Sequence, residues 1–365
     1  MTGRRVLRIG ASLVAVGGAA CLVAFVPHLA GSTWHDVRTQ LLGISATTAF
    51  GLAALWIAGL ATYTIAMTSS MPGLSHRRAL ALNLAGSGAA NLLPFGGVVG
   101  TGVNLAMVRS WRLSVRQFAG SAAVLNVINI VTKMLLPVIA AVVVSRQSNA
   151  APLLRHSAYF AAALGFVVVA LTVWALVSQS WARRLDVMVL RVSRGRYGEG
   201  EPIWSVQQQV RAVFRHRWRG LTTGMTGYVL LQWAMFAVCL HTTGVGVGPG
   251  AAFAAFAVER AVTLAVVTPA GTGIAEAASA GLLVTLGGNP GASAAAVLLY
   301  RLFVYLAEIP VGVAVLGAWA SLSVGRDGRG RFAQFGRAGR AGRAGRAVSA
   351  SPSPIATAPP TPSSK

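Results

Sequence analysis

The sequence predicts an all-α polytopic membrane protein with six transmembrane helices and two re-entrant broken-helix hairpins in an inverted repeat. Three observations predict it. Apolar residues make up 55% of the chain against 11% charged, with a mean hydropathy of +0.63, whereas a soluble domain usually carries about a quarter charged residues. Six apolar runs are long enough to cross a bilayer, which takes about 20 helical residues. Two further runs are each broken at mid-length by Pro and Gly, in opposed orientations along the chain.

The six runs are 9–30, 42–67, 118–144, 157–178, 221–242 and 291–321. The first follows Arg4, Arg5 and Arg8. It is longer than the apolar core of a secretory signal, so it reads as a retained span. The broken regions are 79–108 and 251–287. The first breaks at Leu93-Pro94-Phe95-Gly96-Gly97, the second at Thr268-Pro269-Ala270-Gly271-Thr272-Gly273. Their halves are too short to span alone. Each region is therefore expected to enter and leave on one side, with its tip in protein or a wet cavity, because irregular backbone is not tolerated against lipid.

Charge fixes the expected orientation. Twenty-five basic residues fall in segments on the side of the N-terminus, and only Arg38, Arg146 and Arg155 fall on the other. By the positive-inside rule both ends are cytoplasmic, and a plasma-membrane location is expected. The net charge of +23 resides in these loops and in the C-terminal tail. That is the pattern of loops facing anionic lipid rather than of a nucleic-acid-binding face, so membrane lipids and no nucleic acid are the expected partners. A membrane-embedded domain is expected over 1–324. It includes a basic cytoplasmic loop at 179–220, which suits an amphipathic helix on the inner leaflet. The tail 325–365 carries Gly-Arg-Ala repeats and then a Ser/Pro-rich stretch, a composition without a core. The two cysteines, Cys21 and Cys239, sit in apolar runs without disulfide or metal spacing. No P-loop, dinucleotide motif or nucleophilic triad is present, so neither a cofactor nor catalysis is expected.

Six ionisable residues lie inside apolar segments: Lys133, Glu259, Arg260, Glu276, Arg301 and Glu308. Each costs roughly 2.5–3.5 kcal/mol at a helix centre on insertion scales unless it is paired or placed in a cavity. Five fall in the second half and are expected to converge near the second hairpin. Asn126, Asn129 and Lys133 share one helical face, as do Arg301, Tyr305 and Glu308. These faces predict a polar cavity between the hairpins, with Lys133, Arg260 and Arg301 turned to an anion. Arg301 is equally suited to clamping Glu276 or Glu308, and Glu308, nearer an end of its run, suits a structural role.

Four stretches carry a family resemblance. They are Asn91-Leu92-Leu93-Pro94-Phe95-Gly96-Gly97 with Arg109-Ser110-Trp111 after it, Asn126 to Pro137, Thr268 to Glu276, and Tyr300-Arg301-Leu302 with Pro310 and Gly312. In these, from about residue 10 to 322, the chain resembles the lysylphosphatidylglycerol synthase transmembrane-region, or flippase-like, family. The resemblance implies translocation of a lipid headgroup between leaflets: an anionic or aminoacylated phospholipid, or a polyprenyl-phosphate-linked glycan. Together with the polar helical faces and the charges inside apolar segments, it places the site on Asn91, Pro94, Gly96, Gly97, Asn126, Asn129, Lys133, Glu259, Arg260, Pro269, Gly271, Gly273, Glu276, Arg301 and Tyr305. It also implies a separately encoded lipid-modifying enzyme as a partner, since no synthase domain follows residue 322; oligomers are compatible with it. One departure concerns specificity. Many members have an acid after the first break, where this chain reads Val98-Val99-Gly100-Thr101-Gly102-Val103-Asn104. The competing expectations are a secondary transporter of a small polar solute, with Glu259 or Glu276 as the proton site, and a membrane scaffold.

Overall fold

The computed structural model describes residues 24, 26–92, 96–145, 152–178, 180, 202–264 and 271–322. Among these it is entirely helical and turn, with no strand. The helices are α1 (Trp34–Leu42), α2 (Ala46–Ser70), α3 (His76–Leu92), α4 (Gly96–Ser110), α5 (Val115–Ser145), α6 (Pro152–Val177), α7 (Pro202–His216), α8 (Trp218–Thr242), α9 (Pro249–Val262), α10 (Ile274–Thr285) and α11 (Pro290–Arg301). A π turn over Leu302–Leu306 follows α11, and helix resumes over 308–322. Two units divide at Leu316 and Gly317, and of the second only 317–322 are described.

Four stretches are long and apolar enough to cross a membrane: Ala46–Ser70, Val115–Val143, Trp218–Thr242 and Pro290–Leu322. They coincide with four of the six expected spans. The expected span 157–178 lies in α6, a helix of 26 residues of which only part of the side chains is described. Most of the expected span 9–30 lies outside the described residues, as do the two hairpin tips with Pro94 and Pro269, much of the loop 179–220, and the tail.

Local sequence explains where helices begin. Thr33 and Asp36 form a capping box at α1: the Thr33 N–H donates to Asp36 Oδ2 at 3.0 Å and the Asp36 N–H to Thr33 Oγ1 at 3.3 Å. The Thr33 hydroxyl bond holds the Asp36 carboxyl below its ordinary range. Ser45 caps α2, and Asn289 caps α11 with Pro290 in its first turn. The amphipathic α7 buries Val210 and Val213 against Ala66, Val124 and Leu221.

The order of elements occurs twice. A long helix, two shorter helices flanking a break, and a second long helical stretch appear as α2–α3–α4–α5 and again as α8–α9–α10 with Pro290–Leu322, which α11 opens. Helices α2 and α8 are both 25 residues long and start 172 positions apart, 46 against 218. They pack antiparallel: Gly220 meets Ser69, Gly224 meets Ala66, Gly227 meets Thr62 and Gly59 meets Tyr228. The Tyr63 and Tyr228 rings stand 5.0 Å apart at this seam.

Small residues set the other close approach. A Cβ on Gly88 of α3 would lie 2.8 Å from the Cα of Gly312, and a Cβ on Gly312 the same distance from the Cα of Gly88. No side chain fits there, and close backbone packing replaces the hydrophobic effect that lipid does not supply. The second half holds the main core, where Phe236 meets Tyr300 edge-on at 5.2 Å amid buried alanines of α9 and α11.

Candidate functional site

The charged residues of the second half meet as a network. Arg301 Nε donates to Glu276 Oε1 at 2.7 Å, and its Nη1 to Glu259 Oε1 at 3.2 Å. Arg260 Nε donates to Glu259 Oε2, its Nη2 to Oε1 at 2.7 Å, and its Nη1 to Gln232 Oε1 at 2.9 Å. All four side chains are buried: Glu259 is 0% exposed, Glu276 2%, and both arginines 6%. Two guanidiniums against two carboxylates balance in sign, which is how such a cluster persists out of water. Aromatic rings complete the sockets, with Arg260 over Tyr300 at 5.4 Å and Arg301 over Tyr305 at 5.2 Å.

The network is anchored to the second break. Gly273, at φ +88°, donates its N–H to Glu276 Oε2 at 2.7 Å as α10 begins. That backbone conformation suits glycine. Glu276 thus fixes a helix start with one oxygen and Arg301 with the other. Glu308 does not join the network. It lies seven residues beyond Arg301, about 10 Å along a helix, and stands instead beside Ser87 of the first half.

A cavity of about 420 Å³ opens beside the network. Of the expected site residues, Asn91, Gly97, Asn126, Asn129, Lys133, Arg260, Arg301 and Tyr305 line it. Both polar helical faces therefore point where their spacing put them, even though a π turn interrupts the second. Glu259 and Glu276 stand behind the wall as partners of the arginines. Gly96 is buried against Ala90, and Gly271, at φ +70°, packs on Thr263. Glu308, for which a structural role is expected, also lines the cavity.

Two cross-half contacts close the wall. The Lys133 ammonium donates to Thr263 Oγ1 at 2.9 Å, and that hydroxyl donates to the Arg260 carbonyl at 2.7 Å. The Tyr305 hydroxyl donates to the Asn91 carbonyl at 2.9 Å, and Asn91 Nδ2 to the Tyr305 carbonyl at 3.3 Å. The 172-residue offset relates them: it carries Asn91 onto Thr263 and Lys133 onto Tyr305. In each half, the end of the first hairpin arm is held by the long helix of the other half. Among the described residues, Lys133 is the one cation on this wall with no carboxylate within 4 Å.

The cavity also contains polar residues that the sequence reading did not single out: Asn83, Ser87 and Asn104 of the first hairpin, and Gln232 and Thr263. Their signals were present. Asn83, Ser87 and Asn91 recur every four residues along an otherwise apolar helix, and Gln232 sits mid-span.

No curated protein and no solved structure matches the chain significantly. The sequence model of the family described as "Lysylphosphatidylglycerol synthase TM region" matches residues 6–312, and the chain belongs to that family.

Proposed function

We propose that this protein is a flippase-like lipid translocator, not an enzyme, that carries a phosphate-bearing headgroup between leaflets of the plasma membrane while the acyl chains stay in lipid. Lys133 carries the reading. Its ammonium faces a membrane-embedded cavity and is bonded to a neutral hydroxyl, while the neighbouring arginines are held by carboxylates. An uncompensated cation is costly in that setting. A phosphate supplies the missing charge. The substrate class includes anionic or aminoacylated phospholipids and polyprenyl-phosphate-linked glycans, and a separately encoded enzyme would make or use them.

The proposed topology has six crossings and two re-entrant hairpins, 79–108 and 251–287, as inverted repeats with both ends cytoplasmic. The doubled element order and the antiparallel α2–α8 seam support it. In this frame the cavity reaches Met71, Ser121, Ala122 and Leu125, towards the cytoplasmic segments with Arg77, Arg78 and Arg116. The residues 172 positions on, Thr243, Ser293, Ala294 and Val297, do not line it. The cavity thus extends towards one side, which supports a carrier open to one leaflet. The solute-transporter reading needs a free carboxylate at Glu259 or Glu276, and both are engaged by guanidiniums.

The test is reconstitution in liposomes with fluorescent phospholipids, following leaflet exchange by dithionite quenching. Wild type is expected to accelerate exchange of an anionic lipid, and Lys133→Gln to lose most of it. Exchange at the protein-free rate in wild type overturns translocation; full exchange in Lys133→Gln overturns the role of Lys133. A C-terminal reporter cleaved by external protease in intact cells overturns the orientation.

A further inference from the structure

The 172-residue offset pairs the polar groups of the two halves beyond their contacts. It carries Ser87 onto Glu259, Asn104 onto Glu276 and Asn129 onto Arg301. The second-half set is saturated within itself by ion pairs. Its first-half counterparts are neutral and line the cavity. The Asn104 Oδ1 atom is buried without a donor among the described residues. The side chains of Asn83 and Asn129, on the same wall, have no hydrogen-bond partner there either. A buried amide oxygen without a donor costs free energy, and the half-buried amides of Asn83 and Asn129 leave further bonds for a ligand to complete.

The chemistry of that ligand follows from the donors and acceptors on offer. An amide presents an acceptor and two donors side by side. An ammonium only donates and a phosphate only accepts, so neither satisfies both ends. A hydroxyl does both, and adjacent hydroxyls repeat the pattern. The carboxylate of Glu308 on the same wall adds an acceptor for hydroxyl protons, and Tyr63, Tyr228 and Tyr305 add ring faces. A cavity of about 420 Å³ falls within the roughly 300–1,000 Å³ typical of small-molecule sites.

We propose that Asn83, Ser87, Asn104 and Asn129 hold the hydroxyls of a polyol or glycosyl headgroup whose phosphate sits at Lys133; this rests on the lipid-headgroup reading. The first half of the repeat selects the headgroup, and the ion-paired second half is the fixed wall against which it is held. The neutral residue Asn104, whose Oδ1 has no donor among the described residues, is the specificity determinant.

The test separates this site from translocation. Purified protein in detergent is titrated with dihexanoyl phosphatidylinositol and with dihexanoyl phosphatidylethanolamine, reading thermal stabilisation. Wild type is expected to respond to the inositol lipid at about tenfold lower concentration. Asn104→Ala and Asn129→Ala are each expected to lose about three- to tenfold for the inositol lipid, the worth of one or two hydrogen bonds, and nothing for the ethanolamine lipid. Asn104→Glu combined with Asn129→Arg recreates the Glu276–Arg301 pair at the equivalent positions. It is expected to fold like wild type and to bind both lipids alike. Equal affinity for the two lipids in wild type, or an intact inositol preference in all three variants, overturns the proposal. Inositol selectivity without leaflet exchange would sink translocation and leave this site standing. Exchange without selectivity would do the reverse.

Discussion

The Tyr305 hydroxyl and the Asn91 carbonyl meet at 2.9 Å, joining the end of the first hairpin arm to the long helix of the other half. The bond falls on the π turn Leu302–Leu306, where the Ala307 N–H reaches back to the Leu302 carbonyl. Such wide turns recur at functional sites. Here it leaves the Tyr305 carbonyl available to the Asn91 amide. Hairpin and helix are thus tied in both directions at the wall of the cavity.

Tyr305→Phe removes one of these bonds and preserves the ring that lies over Arg301. It is expected to cost about 0.5–1.5 kcal/mol, read as a lower unfolding midpoint in detergent. It is also expected to raise labelling of a cysteine placed at Gly97, on the exposed side of the first hairpin. No change in either measurement would show that the clamp holds nothing.

The ion network makes a sharper prediction. Arg301 serves Glu276 and Glu259 together, so Arg301→Met leaves two carboxylates to one guanidinium. Breaking one partner of a buried pair costs about 3–5 kcal/mol in soluble proteins. The double variant Arg301→Met with Glu276→Gln removes one charge of each sign. It is expected to be more stable than Arg301→Met alone. Additive losses in a double-mutant cycle would show that the two residues do not interact energetically.

Much of this site was legible as periodicity. The spacing of Asn126, Asn129 and Lys133 put them on one face, and the structure places all three on one wall. Sign balance leaves Arg301 a choice of Glu276 or Glu308, and the structure pairs it with Glu276. What helical spacing does not carry is which helix faces which. Thr263 as the partner of Lys133, and Ser87 as the neighbour of Glu308, depend on how α5 and the last helix lean on hairpin arms of the opposite half. The 172-residue offset is in the sequence, but Ser, Asn and Asn against Glu, Glu and Arg share no identity to reveal it. The doubled order of elements is therefore visible in the backbone and hidden in the letters.

At the N-terminal side, the cap of α1 has a defined pH response. Asp36 is held below the ordinary carboxylate range by Thr33. Its contribution is therefore complete above that range and disappears as pH falls through the lowered value. Amide exchange at Thr33, the donor to Asp36, is expected to stay protected across neutral and mildly acidic pH. In Asp36→Asn the pH dependence should vanish. Loss of protection already near neutral pH in wild type would contradict the assignment of the cap.

The Gly88–Gly312 contact predicts opposite outcomes for one substitution at different glycines. A Cβ on either residue meets backbone at 2.8 Å, and backbone yields only by moving the helices apart. Gly88→Ala and Gly312→Ala are each expected to destabilise by about 1–3 kcal/mol, the cost of overpacking. Each should also shift the wall that Ser87, Asn91 and Tyr305 share. Gly281 lies in α10 with open space around its missing side chain. There Ala relieves the helix of glycine's conformational freedom, and Gly281→Ala is expected to be neutral or to stabilise by up to about 1 kcal/mol. Equal effects of Ala at 88, 312 and 281 on the unfolding midpoint would mean that α3 and the last helix are not in backbone contact, and with it would fall the reciprocal bonds of Asn91 and Tyr305 that this contact positions.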